Sequence, residues 1–479
     1  MLFSSMTFVC LFLPIVCTLY LLAHDRRQLR NYILLIASLF FYAWGEPKAV
    51  LVMLSLIAVS WWIGLLMDKT EGIKRKYLLA GGIILNLATL FFYKYWMFFL
   101  GNMNLVLETL NFAPTDIPYI ALPIGISFYV FQIMSYLIDV YRKQVPSQKS
   151  LVTLATYVSL FPQLIAGPIV RYQTIEEDLH NRKINLDNVF IGSRRFVIGL
   201  AKKVLIADQI AVIADKVFGS AVATVPTVFA WVGILAYTLQ IFFDFSAYSD
   251  MAIGLGRIFN FRFLENFNYP YCAKTIKDFW RRWHISLSSW FRDYLYIPLG
   301  GNRKGKLRTY LNMYIVFGLC GWWHGATWSF IVWGLYHGTW LVLERGVWGK
   351  CLEKIQKLNL PKVKIGDILL NVYTWLIVMI GWVFFRAENL THAKDYLKIM
   401  FTGNPNAPVN SFYAATDFLT YSNLWVIIIG LILSYPVFNG KYEKFRYSKS
   451  ESILLRVLFI VTFVFAMTST FSPFIYFRF

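Results

Sequence analysis

Residues 278–345 read DFWRRWHISLSSWFRDYLYIPLGGNRKGKLRTYLNMYIVFGLCGWWHGATWSFIVWGLYHGTWLVLER and hold three of the six histidines in a chain of 479 residues. His324 and His337 sit in apolar runs rather than in wet loops. A titratable ring is costly to bury among aliphatic and aromatic neighbours, so such a ring marks a candidate functional site. Arg303, Lys304, Lys306 and Arg308 precede Tyr310, and Arg345 follows the return segment. A helix from Tyr310 to His324 would rise roughly 21 Å, against a hydrocarbon core of about 30 Å. The hairpin is therefore expected to turn at His324-Gly325-Ala326 inside the membrane, where irregular backbone survives only beside protein or a watery cavity. That reading puts His324 on an internal tunnel.

The rest of the chain has the composition of a membrane protein. Hydrophobic residues make up 58% and charged ones 15%, against about 25% charged in a soluble domain, and mean hydropathy is +0.53. Apolar runs such as residues 2–22, 49–67 and 453–471 predict an all-α, multi-pass protein with about 11–13 membrane-embedded helices, some broken or re-entrant. The net charge of +20 lies in short loops between these runs, which is the positive-inside pattern, with some attraction to membrane lipids or an anionic cofactor. No basic soluble domain exists to hold nucleic acid, so that partner is not expected. Five cysteines (Cys10, Cys17, Cys272, Cys320, Cys351) show no paired spacing and predict neither disulfides nor a zinc site. No cleavable signal is expected, because the positive flank follows the first apolar run.

The lysine and arginine tally orients the spans. Arg26, Arg27 and Arg30 follow the first, so the N-terminus is expected outside. A single transmembrane domain over 1–479 divides into N-terminal spans (1–150), broken and interfacial helices (151–230), a catalytic core (231–345), and C-terminal spans with an aromatic tail (346–479). Within it, residues 193–217 predict an amphipathic helix with Arg194, Arg195, Lys202 and Lys203 on its polar side. Residues 231–258 are expected to split into two half-helices capped by Ser249 or Asp250, leaving Asp244 as a possible tunnel-lining group. Residues 276–296 predict one amphipathic interfacial helix, with Trp280, His284, Leu287, Phe291 and Tyr294 on one face.

Chemistry concentrates on the histidines. A neutral imidazole in a dry cavity can take a proton from a hydroxyl attacking an acyl carbonyl, which suits His324; a packing histidine is the plain alternative. His284 fits either a functional ring or a rim contact with lipid headgroups. His337 fits support for His324 or helix packing through Gly334 and Gly338. His24, His180 and His392 read as solvated. Arg281, Arg282, Arg303 and Lys304, with Lys306 and Arg308, can hold phosphates of a cytoplasmic donor, or can be ordinary positive-inside charge. Tyr476, in the ending FSPFIYFRF, reads as an interfacial anchor or as an acyl-carrying phenol. No HExxH, GxSxG or P-loop is present.

These residues resemble the membrane-bound O-acyltransferase (MBOAT) superfamily, most closely its branch of alginate and peptidoglycan O-acetyltransferase membrane subunits. The likeness runs through LLIASLFFYAWGEP, LPIGISFYVFQIMSYLIDVYR, LFPQLIAGPIVR, DFSAYSDMAIGLG, ENFNYPY, FWRRWHISLSSWFRDYLYIPLGGNR, WWHGATWSFIVWGLYHG and GWVFFRAENL. It implies an MBOAT fold around a central tunnel, with the WHGA histidine, His324, as catalytic base and the RRWHISLS histidine, His284, lining the same tunnel. The related teichoic-acid D-alanylation machinery uses a C-terminal tyrosine on a small partner as a transient acyl carrier, and FIYFRF is similar to that motif, which points to Tyr476. The resemblance implies an O-acetyltransferase of the bacterial inner membrane. Its donor would be acetyl-CoA or an acyl carrier thioester, with no permanently bound cofactor. It would work with a periplasmic SGNH-type acetyltransferase or esterase partner, through which a polysaccharide acceptor receives the acetyl group. A transporter of an acyl donor, or a scaffold for an extracytoplasmic transferase, is the alternative.

Overall fold

The structure, a computed structural model, describes residues 1–24, 26–358, 364–404, 407, 420–437, 448–468 and 474–475. Its regular elements among these residues are all helices. Helices satisfy every backbone N–H and C=O within one segment, as a bilayer requires. Five are long and apolar enough to cross a membrane: Pro47–Asp68, Gly72–Thr109, Thr227–Ile258, Ile365–Arg386 and Lys449–Thr468. Shorter apolar helices cover Thr7–Leu22, Ile126–Tyr141 and Ser422–Leu433. The protein is an all-α, multi-pass membrane protein.

The chain packs as two compact units, Met1–Val197 with Tyr248–Leu264, and Ile198–Ala247 with Glu265–Phe479. The first contains α1 (Leu13–Leu22), α2 (Arg27–Ala43), α3 (Pro47–Asp68), α4 (Gly72–Leu90), α5 (Trp96–Thr109), α6 (Ile126–Tyr141), α7 (Leu151–Ser159), α8 (Phe161–Leu164), α9 (Tyr172–Asn181) and most of α10 (Leu186–Ala201). Its centre is α6, buried along almost its whole length and packed by α3 and α4. A cluster of rings closes the unit around the N-terminus. Phe3 stacks on Tyr248 at 4.8 Å, and Phe12 meets Phe161 edge-on at 5.3 Å.

The second unit contains α11 (Asp208–Gly219), the first part of α12 (Thr227–Ile258), α13 (Ile276–Arg282), α14 (Ile285–Phe291), α15 (Gly305–His324), α16 (Trp328–Arg345), α17 (Val347–Gln356), α18 (Ile365–Arg386) and α19 (Leu390–Thr402). The α15–α16 hairpin closes through small residues. A Cβ on Gly334 would stand 2.2 Å from the Phe317 carbonyl oxygen, and one on Gly321 2.2 Å from that of Phe330. Only glycine lets the two backbones approach so closely.

Four local expectations change. Residues 276–296 are not one helix: α13 ends at Arg282 and α14 starts at Ile285, with His284 between them in the left-handed region at φ 44°. Residues 231–258 do not split, because α12 runs unbroken for 32 residues, roughly 48 Å. Asp250 caps nothing there and instead accepts from Arg195 at 2.8 Å. Lys203 and Arg194 are not on a polar face: both are buried, and a π-helical turn, Lys202–Ala207, joins α10 to α11. Finally, α15 starts at Gly305, so its 20 residues rise about 30 Å rather than 21 Å.

Candidate functional site

The RRWHISLS stretch becomes a helix, a kink and a second helix because polar groups fix each end. The Thr275 hydroxyl accepts from the Asp278 N–H at 3.0 Å. The Glu344 carboxylate accepts from the N–H groups of Ile276 and Lys277 at 2.7 and 3.0 Å. These bonds satisfy the first turn of α13. At the kink, Asn266 does the same work. Its carbonyl oxygen accepts from Ile285 N–H at 3.0 Å, and its side-chain Oδ1 accepts from the Ser286 N–H at 3.2 Å and the Ser286 hydroxyl at 2.9 Å.

That arrangement sets the tautomer of His284. A backbone N–H can only donate, so the Asn266 atom facing Ser286 is the oxygen. His284 Nδ1 lies 3.1 Å from the same oxygen and therefore carries the ring proton, leaving the lone pair on Nε2 as the basic position. The ring is 1% exposed and stands edge-on to Phe245, centroids 4.7 Å apart. A left-handed backbone at a non-glycine residue costs about 1–3 kcal/mol and clusters at functional sites.

His324 ends α15 and is 4% exposed. Its ring meets Trp323 at 4.9 Å, Trp333 at 5.1 Å and Phe385 at 5.2 Å, each near edge-on. Trp323 also faces His284 at 6.3 Å, and Trp333 faces His337 at 5.3 Å. Histidines and indoles thus alternate: His284, Trp323, His324, Trp333, His337. Walls of this kind exclude water and lower the local dielectric, conditions in which a neutral imidazole serves as a proton acceptor. His337 is held differently. Trp280 and Tyr336 flank it, and a Cβ on Gly381 would come within 2.5 Å of its Nε2. His337 thus packs α16 on α18 through Gly381, whereas Gly334 and Gly338, the expected packing positions, face α15.

Arg281 and Arg282 end α13, and Arg282 pairs with Asp278 at 3.0 Å. Arg303 and Lys304 are exposed just before α15. None of the four lines the nearby cavity of about 630 Å³, whose cationic lining is Lys274, Lys277 and Arg345, with Asn302 beside them and Asp278, Glu344 and Glu353 opposing them in charge. Tyr476 lies outside the described residues. Its two predecessors are buried: the Ile475 N–H donates to Asp244 Oδ2 at 2.6 Å, and Lys203 Nζ lies 4.5 Å from the Phe474 ring centroid. Asp244 thus bonds Ile475 and pairs with Lys203 at 2.5 Å, and Lys203 also reaches Asp208 at 2.8 Å.

Sequence reasoning missed Asn266 and Lys203. The first carried a weak signal, one of two amides in the aromatic run ENFNYPY. The second did not, because a lysine before VLIA reads as the end of an amphipathic face.

The model of the MBOAT, membrane-bound O-acyltransferase family, matches residues 36–391. The chain is 40% identical, over 515 aligned residues covering all of both proteins, to one from Azotobacter vinelandii named "Probable alginate O-acetylase AlgI". It is 35% identical to the "Peptidoglycan O-acetyltransferase" of Helicobacter pylori, over all of this chain and 98% of that one. It is 27% identical to the "Teichoic acid D-alanyltransferase" of Bacillus subtilis, over 66% of this chain and 79% of that one.

Proposed function

The chain belongs to the membrane-bound O-acyltransferase family and is a membrane acyltransferase; on that premise we propose that its acyl group is acetyl, taken from a cytoplasmic thioester. The donor is acetyl-CoA or an acylated carrier protein. The acetyl group crosses the bacterial inner membrane and ends on a cell-envelope or secreted polysaccharide, of the alginate or peptidoglycan kind that the relatives' names specify. The Lys and Arg distribution favours an N-terminus outside.

The observation that carries this reading is the pair of buried imidazoles, His284 and His324, both neighbouring the indole of Trp323. His324 takes the proton from an attacking hydroxyl. The hydroxyl oxygen bonds to the thioester carbonyl carbon, the C–S bond breaks, and the proton passes to the departing thiolate. His284, its Nδ1–H fixed on Asn266, offers Nε2 to position the donor or relay the proton. The donor enters between α13, which ends in Arg281 and Arg282, and the loop bearing Arg303 and Lys304. A cavity of about 630 Å³ has Lys277 and Asp278 of α13 in its lining, with Lys274 and Arg345 set against Glu344 and Glu353. Tyr476 is the first acceptor, forming an aryl acetate; the burial of its two predecessors, Phe474 and Ile475, supports this reading. An SGNH-type partner on the outer face then moves acetyl to the polymer hydroxyl, so CoA itself never crosses the bilayer.

Purified full-length protein incubated with radiolabelled acetyl-CoA tests this. Wild type should release CoA thiol and hold label, and Tyr476→Phe should hold none. Equal labelling of the variant removes the tail from the mechanism, and a wild type that never cleaves the thioester removes the donor.

A further inference from the structure

In the first unit, Arg26 with the first turn of α2 and the residues at the C-terminal end of α9 line an open cleft of about 720 Å³. Its ionisable lining is Arg26, Arg27, Arg30, His180, Arg182 and Lys183, with no carboxylate among the described lining residues. His180, expected to be solvated, is half-buried here, its Nε2 3.0 Å from the Gln148 side-chain amide.

Two of the guanidinium groups are buried, Arg30 at 2% and Arg182 at 5% exposure. Buried charges are ordinarily matched by counter-charge, yet these bond neutral atoms. Arg182 donates to the Tyr20 hydroxyl at 3.0 Å, Asn31 Oδ1 at 2.5 Å and the Asp178 carbonyl at 3.2 Å. Arg30 Nη2 donates to the Arg182 carbonyl at 3.0 Å, while its Nε and Nη1 have no partner among the described residues. The Asp178 carboxylate, which acts on Arg182 at longer range, accepts the Arg262 N–H at 3.0 Å. Burial, and then the charges of Arg27 and Arg182, push the His180 pKa down, as expected of a pocket with surplus positive charge. Apolar side chains stand exposed beside the cleft on α1 and α2: Leu22, Leu29 and Tyr32.

We propose that this cleft is a phosphate-binding site, filled by the headgroup phosphate of an anionic phospholipid. Phosphate oxygens match the fork of an arginine and supply a counter-charge that no described residue bonded to Arg30 or Arg182 provides. The exposed Arg26 and Lys183 meet the phosphate from the solvent side, and Leu22, Leu29 and Tyr32 suit the acyl chains. A soluble phosphate has the same chemistry at its oxygens, so the test separates the two sources.

Full-length protein in phospholipid-free detergent is offered phosphatidylglycerol, phosphatidylcholine or inorganic phosphate, and retention is read by native mass spectrometry. The comparison is Arg26→Glu with Lys183→Glu, two exposed positions, checked by thermal unfolding without lipid. Wild type should retain phosphatidylglycerol about tenfold better than phosphatidylcholine, and the variant should lose that preference at an unchanged transition temperature. If wild type retains inorganic phosphate and shows no lipid preference, and the variant loses the phosphate, the lipid is excluded and a soluble ligand takes its place. Equal retention of phosphatidylglycerol by both proteins overturns the site. Should the double variant unfold earlier, Lys183→Gln alone repeats the comparison with the same readings.

Discussion

The second unit buries titratable groups in two contrasting ways. Around His284, His324 and His337 the walls are indoles and phenyl rings, with Asn266 Oδ1 3.1 Å from His284 Nδ1. Around Lys203 the walls are counter-charges: Asp244 at 2.5 Å and Asp208 at 2.8 Å, with the tail amide of Ile475 on the other oxygen of Asp244. A neutral imidazole can be enclosed dry and still change its protonation when a substrate arrives. A lysine cannot be buried as a cation without compensation, so its surroundings are committed. The first region is the one we propose to react; the second is braced by ion pairs.

That contrast breaks most readily at the ion pair. Asp244→Ala leaves Lys203 with one carboxylate and should cost about 3–5 kcal/mol, read as a large fall in thermal transition temperature in detergent; a shift within error would mean the pair holds nothing. Next comes the hairpin: Gly334→Ala drives a methyl against the Phe317 carbonyl and should cost about 1–3 kcal/mol, seen in the same assay. Asn266→Ala should also cost about 1–3 kcal/mol through the stranded Ser286 N–H. Unlike the others, it should lower the acetyl transfer rate out of proportion to folded protein, because His284 loses its set tautomer. His337→Asn sharpens the division within the histidines: acetyl transfer should stay within roughly threefold of wild type once corrected for folded protein, and a larger loss would bring His337 into the chemistry. The smallest effect belongs to the exposed cations. Arg303→Gln with Lys304→Gln should raise the KM for acetyl-CoA severalfold, leave kcat alone, and fade as salt is added.

How much could be read in advance follows the same division. The burial of His324 and the α15–α16 hairpin were legible because the ring sits in an apolar, glycine-flanked run. Membrane class and the α18 span followed from apolar run length alone. The kink at His284 was not legible, since periodicity in residues 276–296 fits one helix and the break depends on Asn266, ten residues before the stretch begins. Nor was the unbroken α12: Ser249 and Asp250 look like a cap until Arg195, 55 residues upstream, is seen to take the carboxylate. Lys203 failed for the same reason, because its partners come from α11 and α12. Local pattern predicts elements well and predicts buried polar pairing badly.

The central claim is that His324 is the base for acyl transfer, and thioester cleavage tests it most directly. Purified His324→Ala, shown to unfold at the wild-type temperature, is mixed with acetyl-CoA and thiol release is followed against wild type. The account predicts release reduced to the uncatalysed background. Release at the wild-type rate from correctly folded His324→Ala would contradict it.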